Sequence, residues 1–578
     1  MVNITINNKP MTVEDGSTIL DVAKKANINI PTLCHLNLHN IKMVNDGARC
    51  RVCMVDVAGR WNLLPACATT VAEGMVINTH SKKAIKARRT IVELLLSNHP
   101  KDCLVCPRNG KCELQSIACD LGVREIKFQG KMADKELDKS SFSLVRNENK
   151  CILCGRCETM CNNVQTVGVY SRVDRGFDSS MSTAFEDDIV KTPCTFCGQC
   201  VSVCPTAALT EVDSTAEVWD AINNPDKLVV VQTAPAVRAA LGELFGLPYG
   251  TNVEGKMVSI LRQMGFDKVY DTNLAADLTI LEEANELVKR LQNKGPLPIL
   301  TSCCPAWVNF IECNYPELLD IPSTCKSPQE MFGAVAKEYL PKKLEIDQKN
   351  LVVVSIMPCI AKKFEATREE LSNSGVKNVD YVISTRELGR MIKEAGIDFH
   401  SVEDESFDNL MGESTGGAVI FGVTGGVIEA AVRQVAYKLN GDQIGQIDFE
   451  QIRGMEGLRE ATVSINGNDF NIAIAHGLGN ARKLLDAVRD GTSKYHAIEI
   501  MACPGGCIGG GGQPYYLNIN DNILAKRAEA LYTSDKNNPK RVSAENTELK
   551  AIYDELLGEV GGEKAHELLH THYFKKAK

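Results

Sequence analysis

No apolar stretch of this 578-residue sequence is long enough to cross a bilayer. The longest runs, such as residues 351–357 (LVVVSIM), fall far short of the ~20 residues a membrane helix needs. A basic, apolar leader is also missing: residues 2–11 (VNITINNKPM) read as strand and turn. The pair Arg88-Arg89 lies too deep in the chain to be a twin-arginine export signal. Charge imbalance is small, because 64 Lys and Arg face 73 Asp and Glu for a net charge of -9. Nothing there calls for nucleic acid or an acidic membrane surface as a partner. A nucleotide fingerprint is lacking as well. Gly477-Leu478-Gly479-Asn480-Ala481-Arg482 has no last glycine, and the strand-to-helix context of a dinucleotide-binding turn is not expected around it. These absences make the cytoplasm the expected location, with neither NAD nor flavin held by this chain.

What is present is an ordinary apolar fraction, 44%, enough for large cores in about three to five domains. The chain also has 23 cysteines. A disulfide framework belongs to small secreted chains, and single buried cysteines would be scattered. Here most sit in tight groups, which is how metal clusters are held.

Residues 2–31 read as two short strands and a helix over 18–26 with Ser17 as its N-cap. Cys34, Cys50, Cys53 and Cys67 follow, a four-thiolate set that suits a [2Fe-2S] cluster, with structural zinc as the alternative. The first gap, 15 residues, is wider than the plant-type spacing. A helix is expected over 82–97, its basic residues forming a solvated face. It leads into His99, Cys103, Cys106 and Cys112 (HPKDCLVCPRNGKC). This pattern is similar to the histidine-ligated [4Fe-4S] site of hydrogenases and of the large peripheral subunit of respiratory NADH dehydrogenase. Cys119 has no partner group and is expected in the core.

Cys151, Cys154, Cys157 and Cys161 form C-x2-C-x2-C-x3-C, and Cys194, Cys197, Cys200 and Cys204 repeat it. Such duplication is typical of two-cluster ferredoxins, in which the fourth cysteine of each run ligates the other cluster. Cys151, Cys154, Cys157 and Cys204 are therefore expected on one [4Fe-4S] cube, and Cys194, Cys197, Cys200 and Cys161 on the other. Asn162 stands where proline often follows. Four clusters in so short a span imply electron transport, but wire modules are shared among unrelated oxidoreductases.

Beyond Asp213 strands and helices alternate, which suggests α/β architecture with ligands on loops at strand ends. Strands are expected at 228–233, 299–302 and 351–357, and a helix at 257–264. Three cysteine motifs stand out: TSCCPAW (301–307), MPCIAKKFE (357–365) and EIMACPGGCIGGGGQP (499–514), the first two directly after strands. Together, and in this order, they resemble the signature motifs of the [FeFe]-hydrogenases. Two departures are Ala306, where the family more often has glycine, and Ala236, where some relatives carry serine.

The resemblance implies a function and its residues. Cys304, Cys359, Cys503 and Cys507 would hold a [4Fe-4S] cube, with Cys507 bridging to a diiron subsite carrying CO, cyanide and a dithiolate amine; together these form the H-cluster. Ala234, Pro235, Pro328, Gln329, Met357, Lys362, Phe421 and Met501 would line its pocket. Glycines around Cys507 (Gly505, Gly506, Gly509 to Gly512) would let backbone approach the cofactor. Lys362 would place a cation near a cyanide ligand. The family's proton relay maps onto Cys303, Glu283, Ser323 and Glu286, ending near Arg290. A thiol with an unperturbed pKa of about 8.5 suits proton exchange near neutrality. Glu283 and Glu286 fall three apart on what reads as an amphipathic helix. Cys313 and Cys325 fit no ligand pattern and read as structural.

The tail, broken at Asn537-Asn538-Pro539, resembles the family's small subunit, fused here. His566, His570 and His572 read as surface histidines of a wrapping helix. The segments CRVCMVDVAGRWNLLPACAT and CLVCPRNGKCELQ look closer to NADH-dehydrogenase-like members, as in multimeric electron-bifurcating hydrogenases whose partner subunits carry FMN and NAD.

The resulting expectation is a cytoplasmic, anaerobic oxidoreductase acting on H2 and protons. Its fold class would be multidomain, α+β and α/β. A β-grasp [2Fe-2S] ferredoxin-like domain (1–78) would be followed by a His/Cys3 cluster domain (79–140) and a two-[4Fe-4S] ferredoxin-like domain (141–212). A two-lobed α/β H-cluster domain (213–515) and a helical small-subunit-like segment (516–578) would complete it. The cofactors would be the H-cluster, one [2Fe-2S] and three accessory [4Fe-4S]. The partners would be ferredoxin or flavin- and NAD-binding subunits. Alternatives are a stand-alone ferredoxin hydrogenase, an electron-transfer subunit like that of NADH dehydrogenase, a Narf-like assembly protein or a hydrogen sensor.

Overall fold

The computed structural model describes residues 1–38, 43–45, 47–373, 375–439, 452–465, 467–515 and 522–576. The expected boundary at 515–516 abuts residues outside that set. Near the N-terminus, Val2–Ile6 pairs antiparallel with Lys9–Val13 and parallel with Val76–Asn78. Met54–Val57 and Leu64–Pro65 extend the sheet. Ile4, Ile6, Val55 and Ile77 point into a core closed by the helix Ile19–Lys25. Its N-cap is Thr18 rather than Ser17. The Asp21 amide donates to the Thr18 hydroxyl at 3.2 Å and the Asp21 carboxylate accepts from the Thr18 amide at 3.1 Å. This reciprocal pair needs an acid three residues on, which Thr18 has and Ser17 lacks.

The helix Lys82–Ser97 starts at the expected residue, capped by Ser81. Its basic face is not wholly solvated, because Arg88 is buried and donates to the Met54 carbonyl at 2.9 Å. Cys119, expected in the core, is exposed on the short helix Glu113–Asp120. That helix buries Leu114 and Ile117 and turns the cysteine outward.

The duplicated cysteine runs form a pseudo-symmetric pair. Strands Leu144–Arg146 and Leu209–Glu211 flank them antiparallel. Each run enters a short helix, Arg156–Thr159 or Gln199–Val203, through a left-handed glycine, Gly155 at φ 74° or Gly198 at φ 73°.

Two four-stranded sheets follow. The first is parallel throughout, in the order Lys268–Asp271, Leu228–Thr233, Leu351–Met357, Tyr381–Ser384. All seven residues of Leu351–Met357 are buried, as a central parallel strand requires. The second runs Ile299–Leu300, Ala497–Met501, Asn468–His476, Leu458–Ile465. The helix Asn273–Gln292 is not amphipathic along its length. From Asn273 to Ala284 every residue but Leu281 is buried, and only the last turns face solvent. The tail folds as Ile523–Asn537, Thr547–Ile552 and Glu563–Leu569; the last two pack on the core of the first four-stranded sheet, while Leu524, Ala528 and Leu531 of the first pack with Ala236, Ala239 and Ile508. No helix among the described residues is long and apolar enough to cross a membrane.

Candidate metal centres and a buried polar path

The structure gathers the cysteine groups into separate cages. In the first, the sulfurs of Cys53 and Cys67 lie 3.4 Å apart, and hydrogen bonds from Cys50 and Cys67 draw the Cys34 thiol's pKa down. The Ala48 amide donates to Cys67 at 3.2 Å. Four thiols packed this closely, with an amide aimed at sulfur, fit a thiolate-bound cluster.

Around Lys150, the second group brings Cys106 and Asp102 together with His99. Burial first, and the Lys150 charge next, lower the His99 imidazole to about 4. It is therefore neutral at physiological pH, and its Nδ1 has no partner among the described residues. A neutral, uncommitted ring nitrogen is what metal ligation needs. Cys103 is exposed and Cys112 buried.

In the ferredoxin-like pair, one cavity is lined by Cys151, Cys154, Cys157 and Cys204. Cys161 lies instead among Cys194, Cys197 and Cys200, whose thiols it perturbs electrostatically. The fourth cysteines thus cross over. Burial pushes Cys151 and Cys197 up to about 11 and Cys154 to about 12. Amides of Leu153 and Phe196 donate to Cys151 and Cys194, each at 3.4 Å.

All three later motifs follow strands, the third as well as the first two: Cys304 caps the helix Pro305–Asn314, Cys359 follows Met357, and Cys503 and Cys507 follow Met501. Cys503 feels Cys359, Cys304 and Cys507, so the four thiols share one pocket. Burial pushes Cys507 up to about 12. Such thiols ionise readily only beside a metal, which makes the cage suited to a cluster.

The glycines around Cys507 also answer a need within the chain itself. A Cβ on Gly506 would sit 2.7 Å from the Thr424 nitrogen and 2.8 Å from the Met501 sulfur. On Gly510 it would strike the Pro358 carbonyl, and on Gly511 the Cys197 carbonyl at 2.6 Å. They let three cysteine loops lie backbone against backbone.

Phe421, Met501 and Cys303 pack together with Ala276 and Ile280. Ala234, whose amide donates to Ile356 O at 3.0 Å, caps the helix Pro235–Arg238, and Met357 ends its strand 3% exposed. Pro328 opens the helix Pro328–Leu344. Gln329 donates to Glu330 at 3.0 Å and Glu365 at 3.2 Å, while its Oε1 lacks a partner among the described residues. Lys362 is buried; its Nζ donates to the Cys303 carbonyl at 3.2 Å and to Glu365 at 2.7 Å. Burial opposes its charge, yet Glu365 and the neighbouring thiols keep it above its usual pKa. Ala236 and Ala306 are both fully buried.

From Cys303 a polar path leads outward. Cys303 does not keep an ordinary thiol pKa: burial, then Glu283, drive it well up. Glu283 accepts from the Ser302 amide and hydroxyl, each at 3.4 Å. Burial first, and Glu286 second, push its carboxyl up to about 8, while Ser323 also contacts it. The Ser323 hydroxyl donates to Glu286 at 2.8 Å, and Arg290 donates to Glu286 at 2.5 Å. Arg290 is pinned by the Ile321 and Pro322 carbonyls at 2.6 and 3.0 Å. All five expected path residues therefore lie in sequence.

Sequence reasoning missed Ser302, whose only signal was its place beside Cys303. Cys313 and Cys325 are buried as expected. His570 is not a surface residue: its side chain is 6% exposed and contacts Glu282 at 3.3 Å. Gly477 does sit between a strand, Asn468–His476, and a helix, Leu478–Arg489. The Leu478 amide there donates to the Gln165 side chain at 3.1 Å, and Gly479 abuts the Val164 carbonyl. The strand-to-helix turn is thus a docking point for the domain that carries the duplicated cysteine runs.

Family models match in the same order as these cages. They are a 2Fe-2S iron-sulfur cluster binding domain (1–82), the NADH-ubiquinone oxidoreductase-G iron-sulfur binding region (88–127) and a 4Fe-4S dicluster domain (150–208). The iron only hydrogenase large subunit, C-terminal domain (227–511) and the iron hydrogenase small subunit (521–576) follow. The NADP-reducing hydrogenase subunit HndD of Solidesulfovibrio fructosivorans is 53% identical over 100% of this chain and 99% of its own. Iron hydrogenase 1 of Clostridium pasteurianum is 41% identical over 100% of both. Among solved structures, an apo form of [FeFe]-hydrogenase HydA1 from Chlamydomonas reinhardtii is similar at 39% identity with a TM-score of 0.56, over 63% of this chain and 99% of that one. With its ferredoxin-like iron-sulfur domains and its H-cluster domain, the chain belongs to the [FeFe]-hydrogenases, oxidoreductases acting on H2.

Proposed function

We propose that this hydrogenase reversibly reduces protons to H2 as the catalytic subunit of a multimeric, electron-bifurcating complex in the cytoplasm of an anaerobe. The observation that carries the catalytic half is the convergence of four buried thiols with a polar path that starts at the adjacent cysteine. Cys304, Cys359, Cys503 and Cys507 would hold the H-cluster. When bound, that group supplies the site where two electrons and two protons combine as H2.

The protein's own residues do the rest. Lys362 presents a buried cation, steadied by Glu365, to the negative ligands. Ala234, Pro235, Pro328, Gln329, Met357, Phe421 and Met501 exclude water around them. Cys303 holds a proton, and Glu283, largely protonated at neutral pH, passes protons to and from it by way of Ser323 and Glu286, with Arg290 at the outer end.

Cys34, Cys50, Cys53 and Cys67 would hold one [2Fe-2S] cluster, His99, Cys103, Cys106 and Cys112 one [4Fe-4S] cluster, and the two crossed ferredoxin-like cages two more; together these would supply a route for electrons. Full-length similarity to a subunit of an NADP-reducing hydrogenase supports partner subunits that bind flavin and NAD, with ferredoxin as a second electron partner. The second reading is a stand-alone ferredoxin hydrogenase; Iron hydrogenase 1 of Clostridium pasteurianum, like the NADP-reducing subunit, matches over the full chain.

The test is H2 evolution from reduced viologen, without oxygen, before and after supply of a synthetic diiron subsite. Activity on supply supports the reading. Silence in protein whose iron-sulfur clusters are fully loaded refutes it. Co-purification of flavin-containing subunits from the native host decides between the two partner readings.

A further inference from the structure

Ser323 has to serve two carboxyls at once, yet it sits on an irregular segment, 321–326, rather than on a helix or strand of the catalytic sheets. One edge of that segment is held by the sheet, where the Ser323 amide donates to Leu300 O at 2.8 Å. The opposite edge is held from the far end of the chain. The Lys326 amide donates to Leu569 O at 2.8 Å, the Thr571 amide donates to Thr324 O at 2.7 Å, and Cys325 pairs with His570 as an antiparallel bridge. The last residues thus add a short third strand to the one that carries Ser323.

Side chains continue the tie. The Thr324 hydroxyl lies 2.7 Å from His570 Nδ1, and His570 Nε2 lies 3.3 Å from Glu282. Glu282 also accepts from the Tyr553 hydroxyl at 2.6 Å. It is on the helix that carries Glu283 and Glu286, so the tail spans both parts of the polar path. The Tyr573 hydroxyl donates to the Ser323 carbonyl, and the same phenol contacts the Ser302 hydroxyl. Beyond it, Lys576 reaches Asn309 at 2.7 Å and Glu312 at 2.9 Å, on the helix that opens at Cys304.

We propose that residues 569–573 are a positioning strap for the proton path, and that Tyr573 sets Ser323 between Glu283 and Glu286 by holding its carbonyl from outside. Tyr573 is a positioning residue in this scheme: it touches neither cofactor nor substrate and carries no proton. The strap rests on the proton-path reading above. It assigns the fused small-subunit-like tail a part in proton supply, beyond covering the fold.

The experiment uses full-length, diiron-loaded enzyme carrying Tyr573→Phe, with Glu286→Gln as a control. Loss of one hydrogen bond to the turn is expected to lower kcat for H2 evolution by about tenfold. KM for reduced viologen and the iron content should not change, and the solvent deuterium isotope effect should exceed that of the wild type, because proton transfer has become more limiting. His570→Gln, which keeps a polar group against Thr324, should show the same trend more weakly. A Tyr573→Phe rate within twofold of wild type, beside an inactive Glu286→Gln, overturns the strap and leaves the path standing. A slower enzyme with an unchanged isotope effect overturns it too, since the tyrosine would then matter only for structure. A fully active Glu286→Gln overturns the path, and the strap with it.

Discussion

Glu283 joins two properties that one substitution can separate. Its carboxyl is 5% exposed and stands at about 8 instead of 4.5, because burial and then Glu286 disfavour its charge. A carboxyl whose folded-state pKa is raised stabilises the fold most below about 4.5, and this contribution is lost as pH rises towards 8. In that window the unfolded chain has released the proton and the folded chain has not. At about 1.36 kcal/mol per pKa unit, the loss between about pH 6 and pH 9 comes to about 2.5 kcal/mol. Glu283→Gln removes the titration, while its amide oxygen can still accept from Ser302. The variant should therefore gain on the wild type as pH rises, by roughly 4 °C in the unfolding temperature of the catalytic domain across that range. Turnover should meanwhile fall by roughly 10² to 10⁴-fold, since an amide cannot relay a proton as a carboxyl does.

Anaerobic thermal scans at fixed rate, on diiron-free protein, give the first quantity. The buried Trp307, next to the Cys304 loop, is a local reporter. Parallel curves for variant and wild type from pH 6 to 9 would refute the premise that Glu283 is a buried acid held neutral. Full turnover in Glu283→Gln would refute its place in the path, whatever the stability data show.

Three further substitutions test separate parts of the site. Cys303→Ala should leave every cluster loaded while turnover falls by roughly 10² to 10⁴-fold; a wild-type rate removes this thiol from proton exchange. Cys204→Ser should disturb the cube shared with Cys151, Cys154 and Cys157 and spare the one on Cys194, Cys197 and Cys200. Electron paramagnetic resonance checks this, and loss of the second signal instead would contradict the crossed arrangement. Gly506→Ala should block productive loading of the diiron subsite, because the glycine is at φ 92° and the new methyl would press on the Thr424 nitrogen. Normal activation by a synthetic subsite would show that the loop relaxes.

Much of this was legible in the sequence because cluster ligation is local. Cys151 to Cys161 and Cys194 to Cys204 are read within eleven residues each, and the crossing of their fourth members follows from the duplication. Strands such as Leu228–Thr233 and Leu351–Met357 read to the residue, because a central parallel strand is buried on both faces and so is mostly apolar, the buried Gln232, Thr233 and Ser355 aside. Periodicity failed where a helix is enclosed on all sides: Asn273–Ala284 carries Asn273, Asp277 and Glu282 into the interior, Asn273 bonded to nearby Asp271 and the other two to partners distant in sequence. The same limit hid His570 and Tyr573. Their partners, Thr324 and Ser323, lie about 250 residues away, and no local pattern marks a histidine or tyrosine that pairs at such range. The glycines after Cys507 were read as a place where backbone approaches a cofactor, and within the chain they also bring its loops together.

Those loop contacts bear on how the two reactants reach the pocket. Gly511 is backed against Gly198 and the Cys197 carbonyl, and Gln199 donates to Gly509 O at 2.9 Å. Phe196 packs on Phe364, just past Cys359, with ring centres 4.6 Å apart. The cage of Cys194, Cys197, Cys200 and Cys161 is therefore the one that abuts the pocket, and Arg386, bonded to Glu211 and to the Gly511 and Gln513 carbonyls, fastens the two domains there. The polar path leaves instead from Cys303, along the helix Asn273–Gln292 and under the C-terminal strap. On the proposed reading, electron entry would cross where the backbones of Gly198 and Gly511 meet, while proton entry would require side chains that ionise and rotate. Separate elements meet these opposed demands, and the three cysteine motifs are the point where they join. Perturbing the Gly198–Gly511 contact should slow reduction of the pocket without altering the solvent isotope effect, and perturbing the strap should do the reverse.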